Sequence, residues 1–200
     1  MLDFKKQYKA LYPTTATPTI VDVPAMTFLM LDGLGAPSTS PAFTGAIEVL
    51  YGLSYAIKMT NTGILGYSVP PPEGFWITTG VLDKGDFVWT LAMRQPDFVT
   101  AQVMDAGKVA LVKHKPKLDP TNVRLQQLTE GCSVQALHMG SFDNELATVT
   151  AMEQFAAERG YETDLSDTRR HHEIYLSNPH KTAVAKLKTI IRRPIRPVSV

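Results

Sequence analysis

The 200-residue chain holds a single cysteine, Cys132, so no disulfide can close within it and no oxidising compartment is implied. It also lacks any apolar run near the roughly 18 residues needed to span a bilayer. Its N-terminus, MLDFKKQYKALYP, has no apolar stretch that could act as a signal peptide. Charge of one sign is missing too: 20 Lys and Arg stand against 19 Asp and Glu, a formal net charge of +1, so nothing pulls the whole chain toward nucleic acid or an acidic membrane. No Gly-rich phosphate loop, zinc-ligand spacing or helix-turn-helix pattern is present. The expectation is therefore a cytoplasmic protein with no cofactor, metal, membrane or specific nucleic-acid partner. Nothing in the composition fixes its oligomeric state.

What is present suffices for a core: 44% of residues are hydrophobic and only 20% charged. Residues 1–17 read as a polar lead-in arm. Thr19–Val23 and Met26–Leu31 read as strands, followed by a turn at Asp32-Gly33-Leu34-Gly35. Ser40 before Pro41 is a helix start, and Phe43, Ile47, Leu50, Leu53 and Ile57 continue it at helical spacing to about Asn61–Gly63. Strands follow at Gly74–Thr79 and Phe87–Arg94, around turn chemistry at Leu82–Asp86. Asp97 or Thr100 caps a helix running to about Lys113; a basic linker and a short helical stretch at Asn122–Leu128 come next.

The pattern then returns. Cys132–Met139 reads as a strand, Ser141 or Asp143 as a cap, and Leu146, Val149, Met152, Phe155 and Ala156 as one helix face ending at Gly160. Strands follow at His171–Leu176 and Lys186–Arg192. Leu31–Gly35 overlays on Leu137–Gly140, and Trp89–Pro96 on His172–Pro179. The expected fold class is α+β: one domain over 1–200, built of duplicated βαββ halves with pseudo-two-fold symmetry (about 18–96 and 131–197, with a linker and helix at 97–130). An antiparallel sheet would carry helices on one face and a ligand cleft at the seam.

Aromatic and acidic side chains are the candidates for chemistry. Tyr51 and Tyr55 share a helix ridge, Tyr67 lies in the following loop, and Trp76 and Trp89 fall within fourteen residues of each other on consecutive strands. They could wall a pocket for a planar or cationic ligand or simply fill the core. His171, Glu173 and Tyr175 alternate onto one strand face, which is either solvated or lines a pocket. In a pocket, Glu173 would be a desolvated carboxylate able to pair with a cation or activate water. Glu73 is a second such acid, or a solvated loop charge. A metal cluster of His138, His171 and Glu173 has weak spacing. Cys132 reads as an inert thiol. The C-terminal Lys and Arg run, including Arg192 and Arg193, reads as the solvated face of an edge strand.

Four segments carry a resemblance: Phe28–Gly33, Glu48–Lys58, Met93–Thr100 and His171–Pro179. Together they resemble the GyrI-like small-molecule-binding family, in its stand-alone branch, from about Pro18 to Pro194. The resemblance implies a duplicated βαββ fold with a ligand cleft. It also implies kinship with the ligand domains of multidrug-responsive regulators and with hydrolases that open cyclopropane rings. At the position matching Glu173, the regulators hold a glutamate that attracts cationic aromatic drugs. One departure is Ile77-Thr-Thr-Gly80 after Trp76, where relatives often carry a second Trp and an acid.

Two function classes follow, a protein that binds planar aromatic or cationic lipophilic molecules and a hydrolase of electrophilic ligands. A third, an interaction module for a partner protein such as gyrase, stands behind them. In the hydrolase, Glu173 is the general base and Tyr55 polarises a carbonyl. Tyr51, Tyr67, Glu73, Trp76, Trp89, Met93, His138, His171 and Tyr175 are the expected ligand-contacting residues of this site, and Tyr55, Trp76, Trp89 and Glu173 are expected to line one cavity.

Overall fold

Ser40 and Pro41 do locally what their chemistry suggests. In a computed structural model of the chain, which describes residues 1–37, 39–63, 66–77 and 87–199, the Ser40 hydroxyl accepts the Phe43 amide proton. A helix then runs over Pro41–Thr60, and the Asn61 side chain closes its end by donating to the Ile57 carbonyl at 2.8 Å. In chain order the described residues form α1 (Phe4–Gln7), β1 (Thr19–Leu34), α2 (Pro41–Thr60), β2 (Glu73–Trp76), β3 (Val88–Gln95), α3 (Ala101–His114), β4 (Arg124–Met139), α4 (Glu145–Ala157), β5 (Tyr161–Thr163), β6 (His171–Tyr175) and β7 (Lys188–Pro197). The expected turn at Leu82–Asp86, and the last residues of the strand expected over Gly74–Thr79, lie outside the described residues. The structure divides into two units, Met1–Gln7 with Met26–Leu128, and Tyr8–Ala25 with Thr129–Val200.

In the first unit, β3 pairs antiparallel with β1 on one side and β2 on the other. The period-two alternation of β3 puts Trp89, Leu91, Met93 and Gln95 on one face, and α2 covers them. Phe43 of α2 meets Trp89 edge-on with ring centroids 5.3 Å apart, and the Ser54 hydroxyl donates to the Met93 sulfur at 3.7 Å. Helix α3, capped by Thr100 as expected, packs on α2. A Cβ at Gly107 would stand 2.5 Å from Ile57 Cγ1 and 3.3 Å from Leu53 Cδ1, so this glycine permits the close approach.

In the second unit β7 pairs antiparallel with β4 over Lys188–Pro194, with β6 over Thr189–Arg192 and with β5 over Ile195–Pro197. Val134, Ala136, Ile191 and Ile195 face α4, where Val149, Met152 and Ala156 complete the core. Gly35 and Gly140 each end the first strand of a unit in the left-handed region, at φ 104° and 127°. That supports the first overlay and the duplication. The second overlay is corrected by the pairing. The last strand of each unit, β3 or β7, is the one flanked on both sides, so β3 corresponds to β7 and not to β6.

Three more expectations are corrected. Asn122–Leu128 is not helical: β4 begins at Arg124, whose guanidinium pairs with Asp32 at 2.7 Å, so tertiary pairing overrides local preference. Leu146 is 74% exposed and not part of the buried face of α4. The C-terminal basic run is not a solvated edge, because β7 is paired on both sides and Arg192 is buried. Its guanidinium donates to Glu130 Oε1 at 2.7 Å, Gln135 Oε1 at 3.1 Å and the Leu11 carbonyl at 2.9 Å. Gln135 in turn donates to the Ala10 carbonyl, which ties the lead-in arm to this face.

Candidate functional site

The polar cluster of the second unit is assembled from β6 and α4. Glu173 is the register partner of Ile191, and Ile191 belongs to the core under α4. By strand alternation His171, Glu173 and Tyr175 therefore all look toward α4. Glu145, the first residue of α4, meets them. His171 Nε2 lies 3.0 Å from Glu145 Oε1 and 3.2 Å from Glu173 Oε1. The three side chains are largely withdrawn from solvent, at 8%, 15% and 12% exposure for His171, Glu145 and Glu173. Tyr175 packs edge-on against Phe142 with centroids 6.1 Å apart.

The electrostatics follow from that crowding. Burial alone would lower the His171 pKa, but hydrogen bonds and charge from Glu145 and Glu173 outweigh it and push it up to about 9. The Glu173 carboxyl is pushed above the usual carboxylate range by its burial. His171 pulls it back, and the like charge of Glu145 adds to the rise. The cluster is thus two carboxylates held together by one imidazole ring, a basic site in a mostly desolvated setting.

His138 does not join it. Its Nδ1 is 2.8 Å from Thr148 Oγ1 and its Nε2 is 2.9 Å from the Ser141 carbonyl, so the ring fixes the entry to α4. The expected convergence of His138 with His171 and Glu173 is therefore corrected, and Glu145 stands as the third member. Glu145 is not among the residues expected from the sequence, yet its position carries a signal. Val149, Met152 and Ala156 extrapolate back one turn to position 145, so a glutamate occupies the inward stripe of an amphipathic helix. Leu146 was expected on that stripe and lies one residue off it.

The other expected residues lie in the first unit. Trp76 and Trp89 are register partners on β2 and β3, both buried. Trp89 Nε1 donates to the Gly35 carbonyl at 3.0 Å, and Phe43 stacks on Trp76 at 5.9 Å. Trp76 Nε1 has no hydrogen-bond partner among the described residues. Tyr67 is fully buried, donates to the Ser54 carbonyl at 3.1 Å and has its hydroxyl pushed up to about 12 by burial. Met93 is fully buried under α2. Glu73, weighed as a solvated loop charge, is instead buried on β2 at 1% exposure. Tyr51 is half-buried, and burial, with Tyr55 beside it, raises its pKa. Tyr55 is 51% exposed on α2. Cys132 is half-buried, and its thiol is pushed up by burial, as suits an unreactive side chain.

No helix of the described residues is long and apolar enough to cross a membrane. No curated protein matches the chain. Among solved structures, an uncharacterised conserved protein from Listeria innocua is 40% identical, with a TM-score of 0.92 over 98% of this chain and 100% of its own. A hydrolase from Listeria innocua is 39% identical, with a TM-score of 0.92 over 98% of this chain and 100% of its own. The EcmrR C-terminal domain shares the fold at 12% identity and a TM-score of 0.57, over 90% of this chain and 98% of its own. The profile of the GyrI-like small molecule binding domain matches residues 16–196, nearly the whole length, and the chain belongs to that family.

Proposed function

We propose that this GyrI-like protein binds a planar aromatic or cationic lipophilic molecule, and that Glu173 supplies the negative charge the ligand meets. The observation that supports it is the withdrawn carboxylate pair, Glu145 and Glu173, gathered on His171 beside the Tyr175 and Phe142 rings. A desolvated carboxylate attracts a cation far more strongly than a surface one, because little water screens it. Rings next to it offer a face or edge to a flat, cationic ligand.

A second reading is hydrolysis, which the 39% identical hydrolase favours; that the ligand is an electrophilic cyclopropane rests on the family resemblance. Glu173 is then the general base. It takes a proton from water, the water oxygen forms a bond to the strained ring carbon, and the breaking C–C bond leaves its electron pair on the conjugated carbonyl, which a solvent proton then quenches. A carboxyl raised by burial is a stronger base than an exposed one.

Glu173→Gln tests both. Calorimetry with ethidium, a planar aromatic cation, against its neutral relative phenanthridine should show the cation losing about 1–3 kcal/mol of affinity while the neutral ring loses little. Turnover of a cyclopropane-bearing alkylator, if present, should fall by roughly a hundredfold in the same variant. A variant that binds and turns over like wild type removes Glu173 from the site.

A further inference from the structure

The cluster at the start of α4 has a second property, independent of any organic ligand. His171 Nε2, Glu145 Oε1 and Glu173 Oε1 come from two elements and lie within 4.8 Å of one another. The two separations from the nitrogen are 3.0 and 3.2 Å. Donors bound to a common ion at about 2.0–2.2 Å stand roughly 3.0–3.4 Å apart in octahedral or tetrahedral arrangements, so the imidazole nitrogen already stands at ligand spacing from one oxygen of each carboxylate. The second unit offers an internal contrast. A third withdrawn carboxylate of this unit, Glu130, is neutralised by a permanent cation, Arg192, at 2.7 Å. Glu145 and Glu173 have between them the ring of His171, whose Nε2 is itself a ligand atom once it gives up its proton.

The geometry points to a divalent-metal site made by Glu145, His171 and Glu173. One imidazole nitrogen and two carboxylate oxygens suit a borderline or hard ion such as Zn2+ or Mn2+ and not a soft one. Three protein ligands would leave coordination positions open to water. With a metal bound, Glu173 would be a ligand rather than a base, and the ion would supply the acidity that activates water. Metal-bound and metal-free clusters are thus two states of the same side chains.

The test uses the full chain, stripped with EDTA and titrated calorimetrically with ZnCl2 and, separately, MnCl2, with no organic ligand present. The expected result is saturable binding of one ion per chain. Glu145→Gln and His171→Gln should each weaken it by at least the roughly tenfold that loss of even an outer-shell partner costs, while His180→Gln on the exposed Asn178–Thr182 turn leaves it unchanged. As a check that needs no variant, Mn2+ should broaden the Ile174 and Thr148 NMR signals before that of Ala156, near the far end of α4. Absence of saturable binding of either ion overturns the proposal. So does binding that survives both cluster variants, or broadening that spares Ile174.

Discussion

Gly33 is the register partner of Trp89, and the indole lies directly over it, where a Cβ would fall inside the ring. A strand glycine of this kind marks close approach and not a turn. Gly33→Ala should force the indole from its place between Phe43 and the Gly35 carbonyl, and destabilise the protein by about 1–3 kcal/mol. Chemical denaturation checks this; a change below about 0.5 kcal/mol, the usual range for an unconstrained site, would show that the ring shifts freely. The sequence offered Asp32–Gly35 as a turn, and only the pairing with β3 showed that Gly33 is inside a strand. Glu173 was legible because its face followed from alternation along His171–Tyr175. The inward position of Glu145 shows in the stripe of α4, but its meeting with His171 and Glu173 does not, because contact between a strand and a helix start 28 positions away leaves no mark along the chain.

At the scale of elements, the link between β4, β6 and β7 is ionic, and the N-terminal arm joins it through hydrogen bonds to the Ala10 and Leu11 carbonyls. Glu130 accepts from Arg192 at 2.7 Å and lies 2.9 Å from His172 Nδ1. Burial would raise its pKa, but the His172 and Arg192 charges and their hydrogen bonds prevail and hold it at about 2, against 4.5 for a free glutamate. A carboxyl depressed by folding adds stability above its unfolded pKa, and that contribution fades as pH falls through the folded value. The Glu130 contribution should therefore be complete above about pH 4.5 and drain away toward pH 2. Glu130→Gln leaves Arg192 buried without its counter-charge and should cost roughly 3–5 kcal/mol near neutral pH. The gap in melting temperature between variant and wild type should narrow across that acid window; a gap that stays constant from pH 6 to pH 2.5 contradicts the assignment. Helices α2 and α3 were readable because hydroxyl caps and apolar spacing are local. The first residues of β4 look helical from local preference alone because what makes them a strand lies elsewhere in the chain.

For the whole molecule, near-equal charge counts leave a formal net charge of only +1 to attract phosphates. Labelled duplex DNA should show no saturable anisotropy change at physiological salt, and tight, sequence-selective binding would refute this. The sequence by itself determined the α+β class, the duplicated strand–helix–strand–strand order, the family and the face carrying Glu173, since caps, turns and hydrophobic periods act over a few residues. The tertiary structure alone decided that β7 lies between partners, that Arg192 is interior and Glu73 buried, and that Glu145 completes the cluster. Each of these depends on which distant segments lie side by side, and burial and charge pairing are properties of that arrangement rather than of any stretch of sequence.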